Sequence, residues 1–195
     1  SINVNFVGLV NFPGVYSVHP FSTVINGLIQ AGGVDTSGSL RKIEIKRNGE
    51  IKSIVDMYNY LIDGELSENI QLRDQDIVIV PPRKSFIKVD SAVVRPGIYE
   101  SVPGETIQQI LTYAGGKKHN SSDIIGVKRI QQVEEKFNER TNYNAFYTNY
   151  LESENIEVQN GDNLIVQYIA NELTEVRLIG QVKKPGKYFY YDGMM

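Results

Sequence analysis

The chain has 195 residues, 41% hydrophobic and 22% charged, the balance of a folded protein and not of a disordered one. A formal net charge of -3 supplies no concentrated Lys/Arg field for nucleic-acid phosphates, and the absence of cysteine excludes disulfides, thiolate metal sites and a cysteine nucleophile. No apolar run approaches the about 20 residues of a membrane-spanning helix. The chain opens directly in a strand-like segment at Ile2 and reads as a fragment, with any export signal or anchor outside it.

Taken in order, Val4, Phe6 and Val10 alternate as one face of a strand, and Pro13-Gly14-Val15-Tyr16 follows. Proline at the second and glycine at the third turn position predict a tight type II turn into a second strand. Thr23 then opens a short helix whose apolar stripe is Val24, Leu28 and Ala31, and Gly32-Gly33 supplies a left-handed ending. Ile43 and Ile45 lead to Lys46-Arg47 and to Asn48-Gly49, a two-residue hairpin signal. Met57, Tyr58 and Leu61 suggest a helical turn. Ile70 and Leu72 then precede Asp74-Gln75-Asp76 and a last strand, which Pro81 and Pro82 stop.

The same order then begins again. Ile87, Val89 and Val93 precede Pro96-Gly97-Ile98-Tyr99, and Thr106 opens a helix with Ile107, Ile110, Leu111 and Ala114 before Gly115-Gly116. The distance from turn glycine to helix-ending glycine is identical in the two copies. Ile125 and Val127 precede Lys128-Arg129, after which a polar stretch over 131–142 is expected to replace the hairpin. Tyr143, Phe146, Tyr147 and Tyr150 are spaced as one face of a short helix, in the place of Met57, Tyr58 and Leu61. Asn160-Gly161-Asp162 matches the earlier aspartate turn. A third start follows, with Val176, Leu178 and Val182 ahead of Pro185-Gly186-Lys187-Tyr188.

This pattern predicts an α+β chain of tandem β-grasp (ubiquitin-like) domains, each a mixed sheet over one helix. The units are 1–83, 84–170 and, over 171–195, the opening hairpin of a truncated third repeat. Such a hairpin is marginal alone, so it is expected either to pack on the second unit or to begin a further one. The residues assigned to this framework are Pro13, Gly14, Gly32, Gly33, Asp76, Pro96, Gly97, Gly115, Gly116, Asp162, Pro185 and Gly186.

The first copy, with Gly8, Val10, Pro13, Gly14, Tyr16, Thr23, Ala31, Gly32, Gly33, Asp56, Leu72, Asp76, Val80 and Pro81, resembles the soluble ligand-binding β-grasp (SLBB) domain. The second departs from it at Ser91 and Gln167. Tandem copies of this domain occur in outer-membrane polysaccharide export proteins. The resemblance implies a non-catalytic structural and binding module at the periplasmic face of the outer membrane, self-associating in its full-length parent. Its implied partners are the exported polysaccharide and the inner-membrane synthesis and export proteins, without a cofactor and without nucleic acid. The alternative is a stand-alone periplasmic receptor for a glycan or small ligand.

Chemistry-bearing residues are sparse. His19 and His119 lack metal-ligand spacing, and Asp74, Asp76 and Asp162 read as turn formers, so no catalytic or metal residue is assigned. Glu134-Glu135 reads as a solvated pair. The pairs Lys46-Arg47, Lys128-Arg129 and Lys183-Lys184 are expected at wet strand edges and turns. Among 12 tyrosines, Tyr143, Tyr147, Tyr190 and Tyr191 are the candidates for a glycan contact, against core packing as the plainer role of the first two.

Overall fold

Alternation of apolar and polar side chains sets the first strand. In the computed structural model, which describes residues 1–64, 71–130, 143–169, 174–181, 183–184 and 186–190, β1 (Ile2–Gly8) buries Val4 and Phe6 completely. It pairs antiparallel with β2 (Gly14–Val18). Helix α1 (Val24–Gln30) then crosses to β3 (Ile43–Arg47), whose hairpin with β4 (Glu50–Val55) turns on Asn48 and Gly49, both at positive φ. A second short helix, α2 (Tyr58–Asp63), precedes β5 (Ile77–Val80), which inserts parallel to β1 and antiparallel to β3. The strand order is β2-β1-β5-β3-β4. Val24, Leu28 and Ala31 close the core against Phe6, Ile43, Ile45 and Val78.

The order repeats in β6 (Ile87–Ser91), β7 (Gly97–Tyr99), α3 (Ile107–Tyr113), β8 (Ser121–Ile130), β9 (Tyr143–Asn149) and β10 (Asn163–Tyr168). Their sheet runs β7-β6-β10-β8-β9, with β10 parallel to β6, and closes a second core that shares no residue with the first. Helices α1 and α3 both start at a threonine. The Thr106 N–H donates to Gln109 Oε1 at 2.9 Å, and that of Thr23 to Asn26 Oδ1 at 3.1 Å. Strands β11 (Thr174–Leu178) and β12 (Gly186–Tyr190) pair only with each other among the described residues. The chain is therefore α+β, with two mixed five-stranded sheets and few helices.

Four expectations need correction. Gly14 and Gly97 are not the left-handed corners of type II turns. Each opens a strand, opposite Phe6 and Val89, and Gly14 is nearly extended at φ 158°. The left-handed corner comes earlier, at Gly8 and Ser91. The connection then lies against the helix end, where the N–H groups of Phe12 and Arg95 donate to the Ala31 and Ala114 carbonyls. Orphan carbonyls at a helix C-terminus need donors, and this loop supplies them.

The second hairpin is not replaced. Strands β8 and β9 pair from Ile124↔Asn149 to Ile130↔Tyr143, and only the connection over 131–142 lies outside the described residues, with Glu134-Glu135 in it. The supposed helix face at Tyr143, Phe146 and Tyr147 is β9 itself, because a full ladder with β8 satisfies its backbone. Phe146 packs on the core, whereas Tyr147 is 71% exposed. The counterpart of α2 is a 3-10 turn at Glu152–Asn155. Finally, Arg47 and Arg129 are not solvated edge charges, as their ion pairs make plain.

Candidate functional site

Asp76 and Asp162 are fully buried, each at the turn into the last strand of its sheet. Arg47 grips Asp76 with Nε and Nη2, both at 2.7 Å, and Arg129 grips Asp162 the same way at 2.9 and 2.8 Å. The second oxygen of each carboxylate also accepts a backbone N–H, from Arg73 and from Gln159. A buried carboxylate with a bidentate guanidinium and a turn amide is satisfied, so it clamps the turn and is not free to bind a ligand.

A different cluster joins the two sheets. Ser39, Leu40 and Arg41 lead into β3, Asp56 and Tyr58 lie at the start of α2, and Glu100, Glu105 and Tyr113 come from the second repeat. The Arg41 side chain is 7% exposed. Its Nε donates to Asp56 at 2.9 Å and its Nη1 to both oxygens of Glu105 at 2.6 and 2.7 Å. The guanidinium stacks over the rings of Tyr58 and Tyr113, 4.6 and 5.4 Å from their centroids, and the two rings meet edge to face at 5.2 Å. Glu100 accepts the Ser39 hydroxyl at 2.6 Å and the Leu40 N–H at 2.9 Å, while its own N–H donates to the Tyr58 hydroxyl at 2.5 Å. The Tyr113 hydroxyl donates to Glu105.

The electrostatics follow from burial and pairing. Burial pushes Tyr58 up to about 12. Tyr113 is also pushed up to about 12, first by burial and then by its hydrogen bond to Glu105. For Arg41, burial acts against the charge, yet the hydrogen bonds and charges of Glu105 and Asp56 hold it above its ordinary value. Both tyrosines therefore remain neutral donors or acceptors, and Arg41 remains the cation of the junction.

Beside this network lies a cleft of about 290 Å³. Leu61 and Ile62 of α2 form one wall, and Arg95, Ile98, Tyr99 and Tyr113 form the other. Among the described residues the cleft offers tyrosine edges, aliphatic surface and one guanidinium, and none of those lining it is a serine, threonine, cysteine or histidine. No group of three His, Cys, Asp or Glu residues poised for a metal ion occurs among the described residues. His19 and His119 are both exposed.

Of the tyrosine candidates, Tyr147 is exposed and is not among the described residues that line this cleft. Tyr143 and Tyr147 lie along β9, Tyr190 ends β12 opposite Thr174, and Tyr191 lies outside the described residues. The framework glycines Gly32, Gly33, Gly115 and Gly116 all take left-handed φ after their helices. At Gly32 a Cβ would lie 2.4 Å from the Phe12 ring. Pro13 and Pro96 are exposed just ahead of β2 and β7, Gly186 opens β12, and Pro185 lies outside the described residues. Arg41, Glu100 and Glu105 were not anticipated. The signal available for them was a difference between copies, since Glu100 and Glu105 stand where the first repeat has Ser17 and Ser22.

The first repeat can now be set against known proteins. Residues 4–55 match the family model of the SLBB domain. The SLBB resemblance drawn from the Pro-Gly-x-Tyr and Ala-Gly-Gly signatures is thus borne out there. Two curated relatives, both polysialic acid transport protein KpsD of Escherichia coli, are 30% identical over 170 residues. That stretch is 85% of this chain and 28% of each relative, so the chain spans under a third of the proteins it matches. Among the described residues no helix is long and apolar enough to cross a membrane.

Proposed function

We propose that this chain is a pair of tandem β-grasp units, 1–83 and 84–170, with the opening hairpin of a third at 171–195. Their role is non-catalytic: a structural and binding element of a bacterial polysaccharide export assembly, at the periplasmic face of the outer membrane. The β-grasp reading is supported by the twice-repeated order of strands two, one, five, three and four, with a single helix on each core. The export reading is carried by one observation, the 30% identity to a polysialic acid transport protein over 85% of this chain. A buried junction between the units suits a load-bearing spacer, because it sets their orientation. Self-association in the full-length parent, and contact with the exported polymer and the inner-membrane synthesis machinery, belong to the same reading.

The test is genetic. Removing residues 1–170 from the parent protein is expected to clear polysaccharide from the cell surface while polymer accumulates inside. Undiminished surface polysaccharide would refute the export role, and a fall in total polymer without accumulation would point to synthesis instead.

A further inference from the structure

Asn-Gly pairs occur at Asn26-Gly27, Asn48-Gly49 and Asn160-Gly161, and the fold places them in three different settings. A glycine offers the least steric obstacle to attack by its own amide nitrogen on the carboxamide of the preceding asparagine. That attack needs two groups at liberty together, the asparagine carboxamide and the glycine N–H. A hydrogen bond on either holds it away until the segment opens.

In α1 both groups are held. Asn26 Oδ1 accepts the Thr23 N–H at 3.1 Å and the Thr23 hydroxyl at 2.9 Å, and the Gly27 N–H donates to the Thr23 carbonyl at 3.1 Å. At the turn before β10 both are held again. Asn160 Oδ1 accepts the Phe86 N–H at 3.1 Å, and the Gly161 N–H donates to the Phe86 carbonyl at 2.9 Å. The β3–β4 hairpin is the exception. Asn48 and Gly49 are exposed, and neither the Asn48 side chain nor the Gly49 N–H makes a hydrogen bond among the described residues. Nothing lies within 4 Å of a Cβ built on Gly49, so its peptide plane has room to turn.

We infer that Asn48 is a site of spontaneous covalent modification, at which the folded chain loses its amide while Asn26 and Asn160 keep theirs. The Gly49 nitrogen bonds to Asn48 Cγ, its proton passes through water to the departing nitrogen, and ammonia leaves behind a cyclic succinimide. Water then opens the ring at either carbonyl, giving aspartate or isoaspartate, so that a water is consumed for each ammonia released. Isoaspartate carries the main chain through the side-chain carboxyl and lengthens the turn by a methylene. Turn length fixes the register of a hairpin, so this product disturbs the Arg47↔Glu50 and Lys46↔Ile51 pairs. Arg47 is also the residue that grips buried Asp76, so the change reaches the clamp of the first repeat and leaves the Arg129–Asp162 clamp alone.

Peptide mapping by mass spectrometry tests this on the intact chain, incubated folded at mildly alkaline pH and, in parallel, unfolded in urea. In urea Asn26, Asn48 and Asn160 are all expected to convert to the acid. In the folded chain Asn48 alone of the three is expected to convert, and an isoaspartyl methyltransferase should place a methyl group on the same peptide. Asn48 intact in the folded chain after it has been consumed in urea would overturn the inference. So would conversion of Asn26 or Asn160 in the folded chain at the rate of Asn48. A converted peptide that accepts no methyl group would overturn the isoaspartate product and its effect on the hairpin.

Discussion

Gly8 and Ser91 occupy the same place in the two five-stranded sheets, Gly180 lies likewise between β11 and β12, and all three adopt left-handed φ, at 82°, 76° and 99°. At Gly8 the reason is steric, because a Cβ there would lie 2.3 Å from the Val80 carbonyl oxygen. Ser91 holds the same backbone with a side chain attached, at a cost of roughly 1–2 kcal/mol. Ser91→Gly should therefore stabilise the second repeat by about 1 kcal/mol, read as a higher denaturant midpoint with unchanged slope. An unchanged or lower midpoint would show that the strain is relieved locally. The substitution of serine for glycine was visible in the sequence, but the conformation was not, since nothing about a serine announces a positive φ.

At the scale of elements, the two repeats solve one packing problem with opposite choices. Phe6 on β1 faces Gly27 on α1, whereas Val89 on β6 and Ile110 on α3 are the corresponding pair. A Cβ on Gly27 would lie 2.3 Å from the Phe6 ring, so the glycine is there to admit the phenyl group. Gly27→Ala should destabilise the first repeat by about 1–3 kcal/mol despite its better helix propensity. Adding Phe6→Val should recover most of that loss, and chemical denaturation of the single and double variants measures the coupling. Strictly additive effects would contradict the contact. The strands and helices that alternate or stripe cleanly were legible from residues such as Val4, Phe6, Ile107 and Leu111. Strand β9 was not, because aromatic residues fall on both of its faces and mimic a helical stripe, and its partner β8 lies across a long polar connection.

For the whole molecule the decisive feature is the Arg41 junction, and it was the least legible. Arg41, Asp56, Glu100 and Glu105 are ordinary charged residues in sequence. They acquire meaning only when the fold buries one guanidinium between two carboxylates and two tyrosine rings, with the Glu100 carboxylate on the adjoining Ser39 and Leu40. Two small units on a short connection are otherwise expected to move relative to each other. Removing one partner of such a buried network costs about 3–5 kcal/mol, enough to release the units. The Arg41 network therefore holds the two repeats as one body. Because the chain contains no cysteine, spin labels can be placed at Lys52→Cys and Thr112→Cys, both exposed, and their separation measured by pulsed electron paramagnetic resonance. A single narrow distance distribution that broadens on Arg41→Met is the predicted result; a distribution already broad in the native chain would contradict the account.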